Sequence, residues 1–286
     1  MIRNLYLNLF LVAVILSGCK KINPEVEIPS YIYVPYCDFT TDSLNQGTKL
    51  QDFTDVWVFN NNDFIGCYPV GSKIPILAEG NTIIKMRAGV KNVGINSLRS
   101  IYPMVQFFET TVDLKRGEVK TIVPNFSYFT GVAFLRQESF SNPGTILAPT
   151  ISSDTFLTVY SGSGPEAISG QGNCGFIYLD NTYQVFDAIS GSSIPYQFAG
   201  RICYLEMHLK TNVDFFVSVS NGSNDIRLCS TIFKTDGIWK KVYIPLTDNL
   251  NSAPTLTNFF LVLHASRPSA GPDPRIYLDN IKIIRQ

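Results

Sequence analysis

Two histidines, His208 and His264, are all the imidazole this chain of 286 residues contains. A hydrolase needs a positioned acid or base, or a nucleophile with its base within reach. Both histidines fall in alternating strand-like runs, which suits a histidine satisfied within a sheet better than a catalytic base or a metal ligand. The sequence contains neither HExxH nor G-x-S-x-G, so the common zinc-protease and serine-hydrolase signatures are missing. Paired carboxylates for glycoside hydrolysis converge from distant strands, and sequence spacing does not test for them. The six cysteines are Cys19, Cys37, Cys67, Cys174, Cys203 and Cys229, with no CxxC spacing among them. A zinc ribbon or a thioredoxin-like motif is therefore not expected. Cys203 and Cys229 sit in strand-like runs and are expected as buried thiols rather than a bridge.

Cys19 has a different context. Arg3 precedes an apolar run over residues 5–16 broken only by Asn8, and Leu16-Ser17-Gly18-Cys19 follows. A run of this length is shorter than the roughly 20 residues needed to cross a bilayer, so it reads as the apolar region of a signal peptide. The four residues ending at Cys19 resemble the lipobox of bacterial lipoproteins. That resemblance implies a signal peptide over 1–18, cleavage before Cys19, a thioether-linked diacylglycerol on its sulfur and acylation of the new amine. Several acyl chains hold a soluble domain at a membrane without a spanning helix. Lys20 and Lys21 stand where the sorting rules of such lipoproteins would place a retention Asp, so the outer membrane is the implied location. The first acidic residue is Glu25, which leaves open whether the protein faces the periplasm or the exterior.

The mature chain would keep 268 residues, with 22 Lys+Arg against 23 Asp+Glu, because only Arg3 is lost from the 23 of each sign. A near-neutral chain lacks the basic footprint of a nucleic-acid binder. Its length admits two cored domains.

The elements that would position any site are strands. Residues 19–30, with Pro24 and Pro29, read as a lipidated tether. Beyond them, short runs of Val, Ile, Tyr, Phe and Thr alternate with Gly, Asn, Asp, Ser and Pro clusters, and no amphipathic helix is evident. Residues 55–59 and 64–68 form a hairpin turned by four residues, 60–63. Strands over 74–77, 82–87, 105–114 and 119–123 complete a β-sandwich spanning 31–125. A second block, 126–286, carries strands near 156–160, 174–179, 200–210, 215–219, 240–246, 258–265 and 276–284. Ile-Tyr-Leu-Asp-Asn occurs at 177–181 and again at 276–280. No wider similarity surrounds the two copies, and both are read as strand ends meeting an Asx turn.

Residues Tyr31 to Pro35, Trp57, Pro75 to Gly80, Ala88 to Lys91, Arg99 and Tyr102-Pro103 resemble a family of Bacteroidetes lipoproteins. The hairpin pattern of this block is also similar to immunoglobulin-like and PEGA-type modules, which serve as spacers or interaction domains. Residues 237–246 and 275–283 resemble the late and closing strands of galactose-binding-like jelly rolls. The expected fold is thus all-β: an immunoglobulin-like sandwich followed by a jelly roll, after a lipoprotein signal peptide. The jelly-roll resemblance further implies a structural calcium held by an opening-segment acid and the Asp of the closing motif. Glu138 and Asp279 match those positions, while Ser141 stands where a second carboxylate would be expected. The alternative for Asp279 is a simple turn cap. For sugar binding, Tyr183, Phe186, Tyr196 and Phe198 fall in a Gly- and Ser-rich stretch that reads as a loop, with burial as loop anchors the competing reading. Trp57 and Trp239 are placed within strands, as core. Asp42-Ser43-Leu44 resembles a Bacteroidetes O-glycosylation acceptor, with Ser43 the modified residue.

Three functions compete. The first is a lipid-anchored, non-catalytic protein of the cell envelope that contacts a glycan or a surface protein through the jelly roll, with no cofactor beyond a structural calcium. The second is an accessory subunit of an outer-membrane protein complex, and the third is an envelope hydrolase.

Overall fold

A computed structural model describes residues 27–196, 200–222, 226–252 and 257–286. The signal peptide, Cys19 with most of its tether, and Phe198 lie outside the described residues. Among those described, the first block has ten strands: β1 (Ser30–Tyr33), β2 (Asp38–Thr40), β3 (Asp55–Asn60), β4 (Asp63–Pro69), β5 (Lys73–Ile76), β6 (Gly80–Lys91), β7 (Arg99–Ile101), β8 (Phe108–Leu114), β9 (Val119–Thr121) and β10 (Asn125–Ser127). The second block has β11 (Ala133–Glu138), β12 (Leu147–Pro149), β13 (Thr158–Tyr160), β14 (Cys174–Tyr178), β15 (Val185–Ser190), β16 (Ile194–Pro195), β17 (Cys203–Thr211) and β18 (Phe215–Ser220). It ends with β19 (Ile226–Ile232), β20 (Lys240–Pro245), β21 (Asn258–Ser266) and β22 (Arg275–Arg285). The one described helix, α1 (Thr247–Asn251), is a single short turn.

The chain is all-β, as its sequence pattern predicts. In the first block the three-stranded sheet β5-β1-β9 faces a five-stranded sheet ordered β4-β3-β6-β7, with β8 also on β6. Ile32, Val34, Ile74 and Ile76 from one side meet Val56, Val58, Ile84, Met86 and Ala88 from the other in one buried core. The alternation in β6 makes this possible, since side chains two apart share a face. The first hairpin is tighter than expected. β3 and β4 pair out to Asn60 with Asp63, so Asn61 and Asn62 alone make the turn, with Asn61 at φ 55°. Asparagine tolerates that left-handed conformation better than most residues.

The second block stacks two six-stranded sheets. One runs β13-β14-β22-β17-β20 with β11 on β22; the other runs β12-β15-β21-β18-β19 with β16 on β21. β22 is the spine of the first of these. Its opening residues pair with β14, its closing residues with β11, and β17 lies along its other edge. The two Ile-Tyr-Leu-Asp-Asn copies behave differently. At 177–181 the strand does end, and Asp180 Oδ1 accepts the amides of Thr182 and Tyr183 in an Asx turn. At 276–280 the strand continues to Arg285. There the register slips opposite Glu206 and His208, and Asn280 takes φ 50°. This copy is a bulge inside a strand, not a strand end.

The blocks are joined through the outer face of the β22 sheet. Tyr204, Tyr243 and Ile284 belong to the first block's core. Between the blocks lies a fully buried carboxylate, Glu206. It accepts hydrogen bonds from the Tyr102 hydroxyl and, at 2.8 Å, from the Tyr128 hydroxyl, and it is ion-paired with Lys241 at 2.6 Å. Lys241 and Lys282 also donate to the carbonyls of Leu50 and Thr48 at 2.9 and 3.0 Å. Burial alone would raise the Glu206 carboxyl, yet the Lys241 and Lys282 charges and these hydrogen bonds hold it at about 2. Burial pushes the Lys282 ammonium down to about 8.

Candidate functional site

Half of that outer sheet face is covered by the first block. The other half carries an array of aromatic side chains. In β14, Ile177 turns into the core while Phe176 and Tyr178 turn out. In β22, Ile276 and Leu278 turn in while Tyr277 turns out, and Phe176 stands opposite it across the strand pair. Lys210 of β17 is the next side chain in this row, paired with Tyr277. Trp239, just before β20, follows it. Contrary to the strand position expected for it, Trp239 lies in the loop preceding β20 and is half-buried.

Phe176 and Tyr277 stack with centroids 4.8 Å apart, and Tyr160 meets Tyr277 edge-on at 5.4 Å. Trp239 lies 6.4 Å from Tyr277, and the Lys210 ammonium stands 5.6 Å from the same ring. Alongside, the Arg275 guanidinium lies 5.8 Å from the Tyr178 ring, whose hydroxyl donates to Asp273 at 3.1 Å. That hydrogen bond raises the Tyr178 phenol above its ordinary value. Residues 161–173, rich in Gly and Ser, cross one side of the array. Glu166 pins them there through an ion pair with Lys210, and its carbonyl accepts the Trp239 indole N–H at 2.7 Å. The half-exposed Phe176 and Trp239 rings flank the buried Tyr277 ring, and charged and amide groups edge them. Such a surface can take the apolar face of a ring-shaped polar ligand while reading its hydroxyls at the rim.

The residues expected for sugar binding fare differently. Tyr183 is 47% exposed and no other ring contacts it among the described residues. Phe186 and Tyr196 are buried at 0% and 1% exposure, so they cannot stack on a ligand. The stretch read as a loop is β15 and β16, where Phe186, Ala188 and Ile194 alternate into the core. Tyr196 turns inward, and its hydroxyl donates to the Arg201 carbonyl at 3.0 Å and to Asn251 at 2.8 Å.

The residues of the calcium expectation are placed as follows. Glu138 spends both carboxylate oxygens on backbone amides, those of Phe140 at 2.8 Å and Ile146 at 2.9 Å. Asp279 is fully buried, with Oδ1 on the Asn280 amide. Burial raises its carboxyl to about 7, with the Glu138 charge adding to the shift. Ser141 Oγ faces Ser139. Calcium requires six to eight oxygens, and no group of three or more His, Cys, Asp or Glu placed to hold a metal occurs among the described residues. Asp279 Oδ2 is buried with no hydrogen-bond partner among the described residues.

His208 faces Asp279 across β17 and β22, and Cys174 lies close enough to Asp279 to feel its charge. This brings three reactive residue types together, but the site is closed: Cys174, Asp279 and His208 are 0%, 0% and 6% exposed. Burial, with Asp279 adding, raises the Cys174 thiol to about 12, and burial with Lys241 lowers His208 to about 3. A protonated thiol and a neutral imidazole on either side of β22 do not make an activated nucleophile. His264 is held by Asp187 at 3.1 Å. Cys203 and Cys229 do not form a disulfide, and burial raises both thiols to about 12, Cys203 being fully buried. Ser43 is exposed in the turn that Asp42 caps through the Leu44 amide.

No family model matches this chain, and no curated protein matches it. Among solved structures it is similar to a family 61 carbohydrate-binding module in complex with β-1,4-galactotriose. The identity is 12%, covering 49% of this chain and 87% of that one, with a TM-score of 0.34. It is also similar to a family 29 carbohydrate-binding module, at 14% identity over 45% and 73% of the two chains and a TM-score of 0.29. A variant of a family 29 module reaches 13% identity over 54% and 91%, with a TM-score of 0.34. At these identities and scores the ligand has to be argued from the chain's own residues.

Proposed function

We propose that this chain is a non-catalytic glycan-binding protein of the cell envelope, anchored to an outer membrane through lipid on Cys19. In this reading the outer face of the β22 sheet receives the sugar. The observation that supports it is the row Phe176–Tyr277–Lys210–Trp239, in which Phe176, Lys210 and Trp239 are half-exposed around the buried Tyr277 ring, flanked by Tyr178 and Arg275 on the sheet. Ring faces supply apolar contact at low entropic cost, and the Lys210–Glu166 pair with the Arg275 and Asp273 side chains beside Tyr178 supply hydroxyl partners. Neutral sugars fit better than acidic ones here, because Lys210 is already ion-paired with Glu166 and the Tyr178 hydroxyl is engaged by Asp273, which puts two carboxylates at the platform's rim. The exposed Ser43 turn is open to O-glycosylation, and the first block carries the platform away from the anchor.

A glycan array with the acyl-free chain (residues 20–286) tests this reading, run beside a crosslinked pull-down from membranes. Binding confined to one class of neutral polysaccharide is the expected result. Silence across the array together with one stoichiometric protein partner would replace it with the accessory-subunit reading.

A further inference from the structure

The first block is more than a spacer in this structure. The open face of its five-stranded sheet carries a second group of rings and cations, remote in sequence from the first. Across β3 and β6, Trp57 stands opposite Arg87 and Phe59 opposite Lys85; Lys85 in turn faces Glu109 of β8. Their neighbours Val56, Val58, Ile84 and Met86 point into the core, so these side chains share the outer face. Phe107, 52% exposed, stands just before β8. Together Phe59, Asn61, Asn62, Lys85, Arg87 and Phe107 line an open hollow of roughly 280 Å³. That is close to the lower bound of about 300 Å³ for small-ligand pockets. Trp57 extends the ring surface beyond the hollow by stacking on Phe64 at 5.4 Å, and its indole N–H has no partner among the described residues.

The two cations differ in what they already hold. Lys85 lies 3.3 Å from Glu109 Oε2 and donates to Asn62 Oδ1 at 3.0 Å. Its charge is spent on the protein. Arg87 has no hydrogen-bond or ion-pair partner among the described residues, although it lines the same hollow between aromatic walls. A guanidinium presents a planar fork of donors matched to a carboxylate, and its stem and plane lie well against rings. The Asn61 and Asn62 side chains at the rim offer donors and acceptors for hydroxyl groups. The net charge of zero and the absence of a basic stripe argue against a nucleic acid. An acidic peptide would satisfy Arg87 without using the ring faces. A sugar ring bearing a carboxylate uses all three features.

We propose that the outer face of the β3–β6–β8 sheet is a second binding site, for a uronate-bearing glycan, with Arg87 as the carboxylate contact and Phe59 and Phe107 as the ring walls. It is independent of the neutral-sugar platform on the second block.

Calorimetric titration of the full chain with a galacturonic-acid oligomer, and with the same oligomer as its methyl ester, tests the site. The acid form is expected to bind, the ester at least tenfold more weakly. Arg87→Gln and Phe107→Ala are each expected to lose tenfold or more for the acid form. Phe176→Ala/Tyr178→Ala should leave that binding unchanged, which separates this site from the platform whichever of the two fails. Arg87 and Phe107 lie on the surface, and a thermal melt matching the parent chain confirms the fold of each variant. Equal affinity for acid and ester, wild-type affinity in Arg87→Gln, or no binding of the acid form would overturn the proposal. Arg87-dependent adsorption to anionic lipid vesicles without oligomer binding would also overturn it.

Discussion

Glu206 is the residue on which the joined blocks depend most. It holds one negative charge against Lys241 and Lys282, with two tyrosine hydroxyls donating to it, all away from water. Removing one partner of a buried ion pair leaves an uncompensated charge and costs about 3–5 kcal/mol. Glu206→Gln is therefore expected to lower stability by that amount, measured by denaturant unfolding. The charge also gives a pH signature. A carboxyl near 2 in the folded chain and near 4.5 in the unfolded chain contributes stability above pH 4.5 that is lost as the pH falls toward 2. Its size is roughly 3 kcal/mol. His208, held near 3 against 6.5 when unfolded, makes the folded state lose stability as the pH drops from 6.5 toward 3, because the unfolded chain takes the proton first. Asp279 has the opposite sign. Its folded value near 7 against 3.8 means that stability falls as the pH rises from about 4 to 7, where the buried carboxyl must ionise. Asp279→Asn is expected to stabilise the chain above pH 7, on the order of 4 kcal/mol, and to change little below pH 4. Unfolding curves at pH 4 and pH 8 check this, and equal effects at both would contradict it.

At the scale of elements, strand existence was legible wherever β-branched and aromatic residues alternated between turn clusters, as in β3, β6, β17, β21 and β22. Residues 185–195 were not, because β15 and β16 are short, contain Asp187 and Pro195, and sit between Gly-Ser clusters that read as loop. Their inward side chains are paid for by sheet packing that local composition does not reveal. The repeated Ile-Tyr-Leu-Asp-Asn carries a signal of the aromatic array. Its two tyrosines, Tyr178 and Tyr277, fall on the same face of adjacent antiparallel strands. The apolar stretch that follows Trp239 reads as a strand that includes it, yet a turn over 235–238, with Asp236 at φ 54° and Gly237 at φ 75°, ends just before it. The glycine of β14 gives an element-scale prediction. A Cβ on Gly175 would come within 2.7 Å of the Phe140 ring and 3.0 Å of Leu157, both in the core. Gly175→Ala is expected to cost about 1–3 kcal/mol through overpacking, read as a lowered melting temperature, and an unchanged melt would contradict the packing described.

For the whole molecule, the shared surface around Glu206 makes the two blocks one cooperative body, since Tyr204, Tyr243 and Ile284 would be exposed if they parted. Calorimetry of the intact chain is expected to show one unfolding transition, and two well-separated transitions would contradict the joint. That joint also bears on where a ligand can bind, because it covers one half of the β22 sheet and leaves the aromatic half free of the first block. The central claim is that this remaining half receives a neutral glycan. Its most direct test is calorimetric titration of Phe176→Ala/Tyr178→Ala with the polysaccharide that binds the parent chain most tightly on the array. A loss of tenfold or more in affinity, at least 1.4 kcal/mol, with an unchanged melting temperature is the predicted result. Parental affinity in the double variant would contradict the claim.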